Sequence, residues 1–193
     1  MRRSTVQRET SETRIHLELD LDGTGSGSIQ TGIGFLDHML EHIRKHGGLD
    51  LTVKGEGDLH VDEHHLVEDI GICLGKALRE ALGEKRGIER FGEAFVTMDE
   101  ALARTVLDLS GRSYLVFHVD FTRETINGFP LELVREFFQA VSSEARINLH
   151  VALLYGSNAH HQAEAVFKSF GRALRMAVSL TGSSDIPSTK GTI

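Results

Sequence analysis

An internal repeat is the feature that most constrains how this chain of 193 residues can fold. The segment HHLVEDIGICLGKALR, from His64, matches HHQAEAVFKSFGRALR, from His160, at seven of 16 aligned positions. Two shorter matches lie upstream of these segments: LDLDG at 19–23 with LDLSG at 107–111, and GLDLTV at 48–53 with RINLHV at 146–151. Each copy of such a repeat folds as the same structural unit and buries its apolar face against the other copy. The chain is therefore predicted to form two similar halves, 1–88 and 89–193, in one compact unit.

Each half is predicted to contain both strands and helices. Alternating apolar and polar residues indicate half-buried strands in RIHLELDLDG, from Arg14, and in ARTVLDLSG, from Ala103. Apolar residues at helical spacing predict helices over 34–47 and 63–83, the first capped at its end by Gly47. Because strands and helices alternate, we expect an α+β fold in which each half is a sheet backed by helices.

The strongest chemical signal is the motif HHxxE, which stands at the start of the same helix in both halves. Residues four apart share one helix face, so the first histidine and the glutamate can bind one ion. The second histidine lies about 100° further round the helix and suits a different ion. Imidazole and carboxylate together suit divalent metal ions. Two sites are predicted: site A with His160, Glu164 and His65, and site B with His64, Glu68 and His161.

The repeat also predicts one more ligand for each site. An offset of 98 residues aligns His38 with Glu136, which we assign to sites A and B respectively. His42 follows His38 by one helical turn, and the sequence leaves open whether it lines the same cavity. A single HHxxE is more often a pair of surface histidines than a metal site. Two copies in matching positions favour the metal site, because paired polar residues are poor choices for packing.

Composition narrows the classes of function. A formal charge of −7 argues against a nucleic-acid-binding protein, which usually has a basic face, but it allows a local basic pocket for a phosphate. No apolar run of 18 or more residues is present, so no membrane-spanning helix is expected. Cys73 is the only cysteine and lies in the apolar run IGICLG, so it is predicted to be a packing residue, which fits a reducing compartment.

Six segments, which extend in order as far as Gly191, resemble the signatures of the imidazoleglycerol-phosphate dehydratase family. They are FLDHMLEH, GDLHVDEHHLVEDIGICLG, RFGEAFVTMDEAL, LDLSGR, NAHHQAEAVFKSFGRALR and IPSTKG. The resemblance implies two βα halves of the ribosomal protein S5 domain 2-like type, and a cytoplasmic homo-oligomer of 24 subunits. It also implies two Mn²⁺ ions in an active site between subunits, and a monofunctional enzyme. The implied reaction is the dehydration of D-erythro-imidazole glycerol phosphate to imidazole acetol phosphate in histidine biosynthesis.

The resemblance also implies roles for individual residues. The family's metal ligands match His38, His64, His65, Glu68, His160, His161 and Glu164, whereas many members have histidine where this chain has Glu136. The family's acid/base glutamate corresponds to Glu12, which would otherwise be read as a surface charge at a strand edge. Asp99 and Glu100 are further catalytic candidates, and an offset of 88 residues places Glu100 opposite Glu12. The implied substrate- and phosphate-binding residues are Arg8, Arg90, Arg112, Ser188, Thr189 and Lys190.

The implied chemistry makes two demands on the protein. Metal ions at the two ring nitrogens would stabilise the imidazolate and promote loss of the C3 hydroxyl, and a carboxylate would collect the C2 proton. Composition alone predicts that the polar tail SSDIPSTKGTI is a frayed end, whereas the resemblance makes it part of a neighbour's phosphate site. Two rival functions remain at this point: a dinuclear metal hydrolase acting on a small phosphorylated molecule, and a metal-storage assembly without catalysis.

Overall fold

The structure, a computed structural model, describes residues 2–193, which form ten strands and four helices. The first half contains β1 (Arg3–Glu9), β2 (Thr13–Asp20), β3 (Ile29–Gln30), α1 (Gly34–Gly47), β4 (Asp50–Gly57) and α2 (His64–Leu82). The second half contains β5 (Phe91–Met98), β6 (Ala101–Asp108), β7 (Tyr114–His118), β8 (Thr125–Ile126), β9 (Phe129–Pro130), α3 (Leu133–Ala145), β10 (Asn148–Tyr155) and α4 (Ala159–Val178).

The two halves have the same sheet topology. The first sheet has the order β1-β2-β4-β3 and the second the order β5-β6-β10-β7, and in each the last strand is parallel to its neighbour. This confirms the prediction of two similar βα halves. The division between 88 and 89 falls in the connection between α2 and β5. Within residues 2–193, only the second half has the small β8–β9 hairpin, and this insertion raises the offset between the halves from 88 residues before it to 98 over α1 and β4. A shorter turn before α4 then reduces the offset to 96 between the two HHxxE motifs.

The helices follow the predicted apolar spacing closely. The helix predicted over 34–47 has those bounds, and the one predicted over 63–83 is α2, one residue shorter at each end. The predicted cap at Gly47 was wrong by one residue, because Gly48 adopts the left-handed conformation (φ 62°) that ends α1. None of the helices described within residues 2–193 is both long and apolar enough to cross a membrane.

One hydrophobic core joins both halves. Strand β2 buries alternate residues, including Ile15 and Leu17, against the apolar face of α2, where Leu66 and Ile70 are fully buried. Complete burial of such a side chain contributes about 1.5–3 kcal/mol. Cys73 is also part of this core, and burial raises the pKa of its thiol to about 11, so the thiol stays protonated and packs as an apolar group.

The helices pair across the two halves: α1 packs on α4, and α2 packs on α3. A glycine lies at a close contact in each pair. A Cβ at Gly171 would lie 3.1 Å from the carbonyl oxygen of Ile43, and one at Gly75 would lie 2.8 Å from that of Val141. Ile43 and Val141 are themselves related by the offset of 98 residues, so both pairs have the same register. In each pair, the HHxxE helix of one half packs on the helix that precedes HHxxE in the other half.

Replacing Gly75 by alanine is expected to destabilise the protein by about 1–3 kcal/mol, because the new methyl group would overlap the backbone of α3 and push the helices apart. The free energy of unfolding from denaturant titration measures this effect. Gly34→Ala is the matched control, since a Cβ there meets nothing within 4 Å. It should be neutral or stabilising by up to about 1 kcal/mol. Equal losses for both variants would contradict the close helix contact.

Candidate metal centre

One group of potential metal ligands stands out among residues 2–193: His38, His160 and Glu164, whose ligand atoms all lie within 4.8 Å of one another. The Nε2 atoms of His38 and His160 are each 3.0 Å from Oε1 of Glu164. His160 and Glu164 are one turn apart on α4, and His38 comes from α1 of the other half. Two imidazoles and a carboxylate are a donor set that suits a divalent ion such as Mn²⁺, so the residues present fit a metal ion.

The start of α4 fixes where its motif lies. The Asn158 side chain accepts hydrogen bonds from the backbone N–H groups of His160 (2.9 Å) and His161, as a residue at the N-terminus of a helix commonly does. Asp62 has the same relation to His64 at the start of α2, at 2.9 Å. Both HHxxE motifs therefore lie in the first turns of their helices, so their side chains lie at one end of each helix pair.

Glu164 is bound by more than the two histidines. Its side chain is only 8% exposed, its second oxygen accepts a hydrogen bond from Lys168, and His42 Nε2 lies 3.5 Å from it. Burial alone would raise the pKa of Glu164, but the hydrogen bonds from Lys168 and His38 outweigh it and lower the pKa to about 2. Burial lowers the pKa of His42 to about 4, so this histidine is neutral at physiological pH. The carboxylate of Glu164 is therefore ionised at physiological pH and able to bind a metal ion.

Lys168 was missed by the reading of the sequence, although a signal for it existed. It follows Glu164 by four residues and so lies on the same face of α4. His42, which the sequence left open, does line this cluster: its Nε2 is 3.2 Å from Nε2 of His38. Neither residue has a polar counterpart in the other half: the equivalent of Lys168 is Ile72 in the first half, and that of His42 is Ala140 in the second. The surroundings of the two motifs are therefore not symmetric.

The second histidine of each motif lies apart from the cluster within this chain. His65 Nδ1 is 3.0 Å from Oδ2 of Asp58, and His161 Nδ1 is 2.7 Å from Oε2 of Glu100. These carboxylates raise the pKa of both imidazoles above the ordinary value. Within residues 2–193, the other predicted ligands of site A come together without His65. The participation of His65 stays a prediction, and it requires a second copy of the chain.

Site B is less complete than site A. Within residues 2–193, His64, Glu68 and Glu136 are not brought together within the distance that defines the other cluster. Glu136 instead lies 3.3 Å from the guanidinium of Arg135. Because α2 and α3 have the same register as α4 and α1, Glu136 nevertheless takes the place on its helix pair that His38 takes on the other.

The two hairpin glutamates occupy equivalent turns but have different surroundings. Glu12 lies between β1 and β2, is 52% exposed, and its carboxylate approaches His65 Nδ1 at 3.8 Å. Glu100 lies between β5 and β6, and its Oε1 accepts the backbone N–H groups of Ser157 (3.0 Å) and Asn158 (2.7 Å). The hydrogen bond from His161 and those from the backbone lower the pKa of Glu100 to about 2. Within residues 2–193, the side chain of Glu12 accepts no hydrogen bond, whereas both oxygens of Glu100 do.

Asp99, the remaining catalytic candidate, precedes Glu100 in the same turn. Its backbone has a positive φ of 46°, an uncommon conformation for aspartate. Its Oδ2 lies 3.8 Å from Nε2 of His161, on the side of the ring opposite Glu100. Its catalytic role stays a prediction.

Arg90 and the C-terminal tail lie together. The Arg90 guanidinium donates to Asp108 (2.7 Å) and to the carbonyl oxygen of Pro187 (2.8 Å), next to Ser188. The backbone N–H of Gly87 also donates to the carbonyl oxygen of Asp185. The composition-based expectation of a frayed end was therefore wrong, because the tail is hydrogen-bonded to the connection between the two halves.

The other phosphate candidates are more scattered. Arg112 is exposed at the turn after β6, and Thr189 and Lys190 are exposed in the tail. Arg8 lies 2.9 Å from Asp69, a buried carboxylate that also accepts a hydrogen bond from Thr13. Within residues 2–193, no side-chain hydrogen bond joins any of these groups to the His38 cluster.

The fold and the cluster define an α+β protein of duplicated βα halves with a His/Glu centre that can hold a metal ion. The family model described as imidazoleglycerol-phosphate dehydratase matches residues 31–174. Dehydratases of this name from Hydrogenovibrio crunogenus and Bordetella avium are 56% and 54% identical over 195 residues, and each alignment covers all of both chains.

Solved structures agree with the sequence comparison. The crystal structure of the dehydratase from Staphylococcus aureus has a TM-score of 0.84 at 40% identity and covers 92% of this chain and 99% of its own. The dehydratase from Pyrococcus furiosus, in complex with (S)-C348, has a TM-score of 0.85 at 39% identity and covers 97% and 100%. The chain belongs to the imidazoleglycerol-phosphate dehydratase family. It is a hydro-lyase, and the resemblance inferred from its motifs is confirmed.

Proposed function

We propose that this chain dehydrates D-erythro-imidazole glycerol phosphate to imidazole acetol phosphate in the cytoplasm, with two Mn²⁺ ions per active site. The observation that carries the proposal is the cluster of His38, His160 and Glu164, built across the two halves around an ionised carboxylate. Membership of the dehydratase family supports the substrate, and the donor set supports the metal.

The two metal sites are proposed to follow the two helix pairs. Site A takes His38, His160 and Glu164, and site B takes His64, Glu68 and Glu136 at the equivalent positions of the other pair. Because His65 and His161 lie apart from these sets within one chain, we propose that each completes a site in a neighbouring copy. This arrangement supports a homo-oligomer, for which the family implies 24 subunits. When bound, the ions would supply Lewis-acid stabilisation of the substrate's imidazole ring.

Glu12 is the proposed acid/base group. Its carboxylate is half exposed and has no close hydrogen-bond partner, so it is able to take the C2 proton, which together with the departing C3 hydroxyl accounts for the water that is lost. It lies beside His65, a proposed metal ligand, so it would be next to a metal site that His65 completes. Asp99 and Glu100 stay as alternative candidates, although Glu100 has no oxygen free of hydrogen bonds.

The proposed phosphate site lies at the tail. Arg90 contacts the tail at Pro187, and a guanidinium can bind two phosphate oxygens at once. The proposed substrate- and phosphate-binding set consists of Arg8, Arg90, Arg112, Ser188, Thr189 and Lys190. Arg90 is already paired with Asp108, so that carboxylate would hold the guanidinium in place for the substrate.

Incubation of the purified, manganese-loaded protein with imidazole glycerol phosphate tests the proposed reaction. Formation of imidazole acetol phosphate with the phosphate ester intact is the expected result. Release of inorganic phosphate would instead identify a metal hydrolase. Neither product, from a protein that nevertheless binds manganese, would identify a metal-storage protein.

Replacing Lys190 by alanine is expected to raise KM for the substrate about 10- to 100-fold with little change in kcat, because a hydrogen bond to a charged group contributes about 1.5–3 kcal/mol. Steady-state kinetics measure the split between the two constants. Lys54→Ala, on an exposed strand position next to Glu56, is the matched control and should leave both unchanged. An unchanged KM for the Lys190 variant would remove this residue from the phosphate site.

A further inference from the structure

The second histidines of the two motifs share a feature that the motifs themselves do not predict. Each turns Nδ1 towards a carboxylate: His65 towards Asp58 at 3.0 Å, and His161 towards Glu100 at 2.7 Å. We propose that Asp58 and Glu100 are positioning residues that hold these rings so that Nε2 is the atom offered to a metal ion. The inference rests on the proposed metal sites and assigns both carboxylates a role distinct from proton transfer.

The physical reason is the complementarity of the two groups. A neutral imidazole carries one N–H, and an ionised carboxylate can only accept hydrogen bonds. A carboxylate at Nδ1 therefore places the proton on that nitrogen and leaves the lone pair on Nε2. Carboxylates that hold metal-binding histidines in this way also fix the orientation of the ring.

Both residues are held by backbone hydrogen bonds, Asp58 through its main chain and Glu100 through its carboxylate. Asp58 directly follows β4, where its N–H donates to the carbonyl oxygen of Glu12 (3.1 Å) and its own carbonyl oxygen accepts from Val61 (2.8 Å). Glu100 is fixed through Oε1 by the N–H groups of Ser157 and Asn158, which leaves Oε2 for His161. Each histidine is therefore aligned by a group that has little freedom to move.

The two halves achieve the same result with carboxylates from different positions of the repeat. The position equivalent to Asp58, at the end of β10, is Gly156. A side chain there is strained, because Gly156 has a φ of 154° and its Cβ would lie 2.8 Å from that of Ala101. The second half therefore uses its hairpin glutamate, Glu100, to hold its histidine.

In the first half, Asp58 performs this task and the hairpin glutamate is released from it. Glu12 is equivalent to Glu100, but its carboxylate remains 3.8 Å from His65 Nδ1 and accepts no backbone N–H. The duplicated glutamates have thus diverged: one holds a histidine, and the other is available for proton transfer. Glu12 is therefore the hairpin glutamate whose carboxylate is left available for proton transfer.

The variant Glu100→Gln tests the assignment directly. The amide oxygen must keep accepting from Ser157 and Asn158, so the amide NH₂ would face His161 Nδ1 and force the proton onto Nε2. We expect the affinity for one of the two Mn²⁺ ions to fall about 10- to 100-fold, with the other ion retained. Manganese titration of metal-free protein, followed by the electron paramagnetic resonance signal of free Mn²⁺, measures both affinities.

Asp58→Asn should have a smaller effect, because both oxygens of Asp58 lie within reach of His65 Nδ1, at 3.0 and 3.2 Å, so an amide oxygen can still accept. Glu18→Gln is the matched control, since it removes the carboxylate of an exposed Glu–His pair with His16. It should leave manganese affinity unchanged. Unchanged affinity in Glu100→Gln, with a normal unfolding midpoint, would overturn the proposal.

A second measurement does not depend on the folding of any variant. Solid-state ¹⁵N spectra of histidine-labelled, metal-free wild-type protein, assigned by comparison with His161→Asn, report which ring nitrogen of neutral His161 carries the proton. The proposal requires Nδ1, and a proton on Nε2 would overturn it. Because neither measurement uses the dehydration assay, failure of this inference is distinguishable from failure of the proposed function.

Discussion

Replacing Glu12 by glutamine is expected to lower kcat about 10²- to 10⁴-fold, which is the usual contribution of a general acid/base group. The carboxylate of Glu12 is the one free of strong hydrogen bonds among the two equivalent hairpin glutamates, and the amide cannot take up a proton. Glutamine has nearly the same volume, and the side chain is half exposed, so the fold and the metal sites should not change.

Three measurements on this variant separate proton transfer from other effects. Manganese content, particle mass and the unfolding midpoint should all equal those of the wild type. Glu9→Gln is the matched control, because it removes an exposed carboxylate from the same hairpin that pairs with Arg14, and it should keep nearly normal kcat. A nearly normal kcat for Glu12→Gln at full metal occupancy would exclude Glu12 as the acid/base group.

Removing manganese, with a chelator at pH 7 or by lowering the pH to 5, is expected to abolish dehydration and to shift the particle towards smaller species. A metal ion whose ligands come from two copies stabilises the assembled state, because a separated chain cannot offer the full set. Activity and mass by analytical ultracentrifugation should both return when manganese is added back at neutral pH.

The direction of the pH effect follows from the histidines. A histidine must be neutral to bind a metal ion, and its unperturbed pKa is about 6.5. Carboxylate partners raise the pKa of His65 and His161. As the pH falls, protons therefore begin to compete with metal at these two rings at a pH above the ordinary histidine pKa. The pKa of Glu164, about 2, keeps that carboxylate ionised throughout this range. Metal loss should therefore follow histidine protonation.

The assembly part of this prediction can fail independently of the catalytic part. If metal-free protein at pH 7 has the same mass as the manganese form, the metal does not hold the particle together. The cluster of His38, His160 and Glu164 would still support catalysis, but the claim that His65 and His161 connect copies would lose its main support.

The repeat made the duplicated fold predictable, because equivalent apolar patterns require equivalent elements. The β8–β9 hairpin was not predictable from it, since an insertion in one copy has no partner for comparison. The pairing of α1 with α4 and of α2 with α3 was also beyond the pattern, because helical spacing tells which face is buried and not which helix covers it. In the sequence, the small residues Gly75 and Gly171 were the indication of this helix pairing.

Most of the cluster could be predicted from helix geometry. His160 and Glu164 share a face by spacing, and the repeat offset led to His38, which the structure places beside them. Lys168 obeys the same spacing and was overlooked because lysine is not a metal ligand. The contact between Asp58 and His65 was not predictable, because it depends on the turn after β4, whose conformation no periodicity determines.

The central claim is a two-metal dehydratase whose sites follow the two helix pairs. The most direct test is to titrate the metal-free protein with manganese and to measure bound metal and the rate of imidazole glycerol phosphate dehydration at each addition. Activity that rises with metal and reaches its plateau at two ions per subunit is the expected result. A plateau at one ion or fewer, or full activity without any metal, would contradict the account.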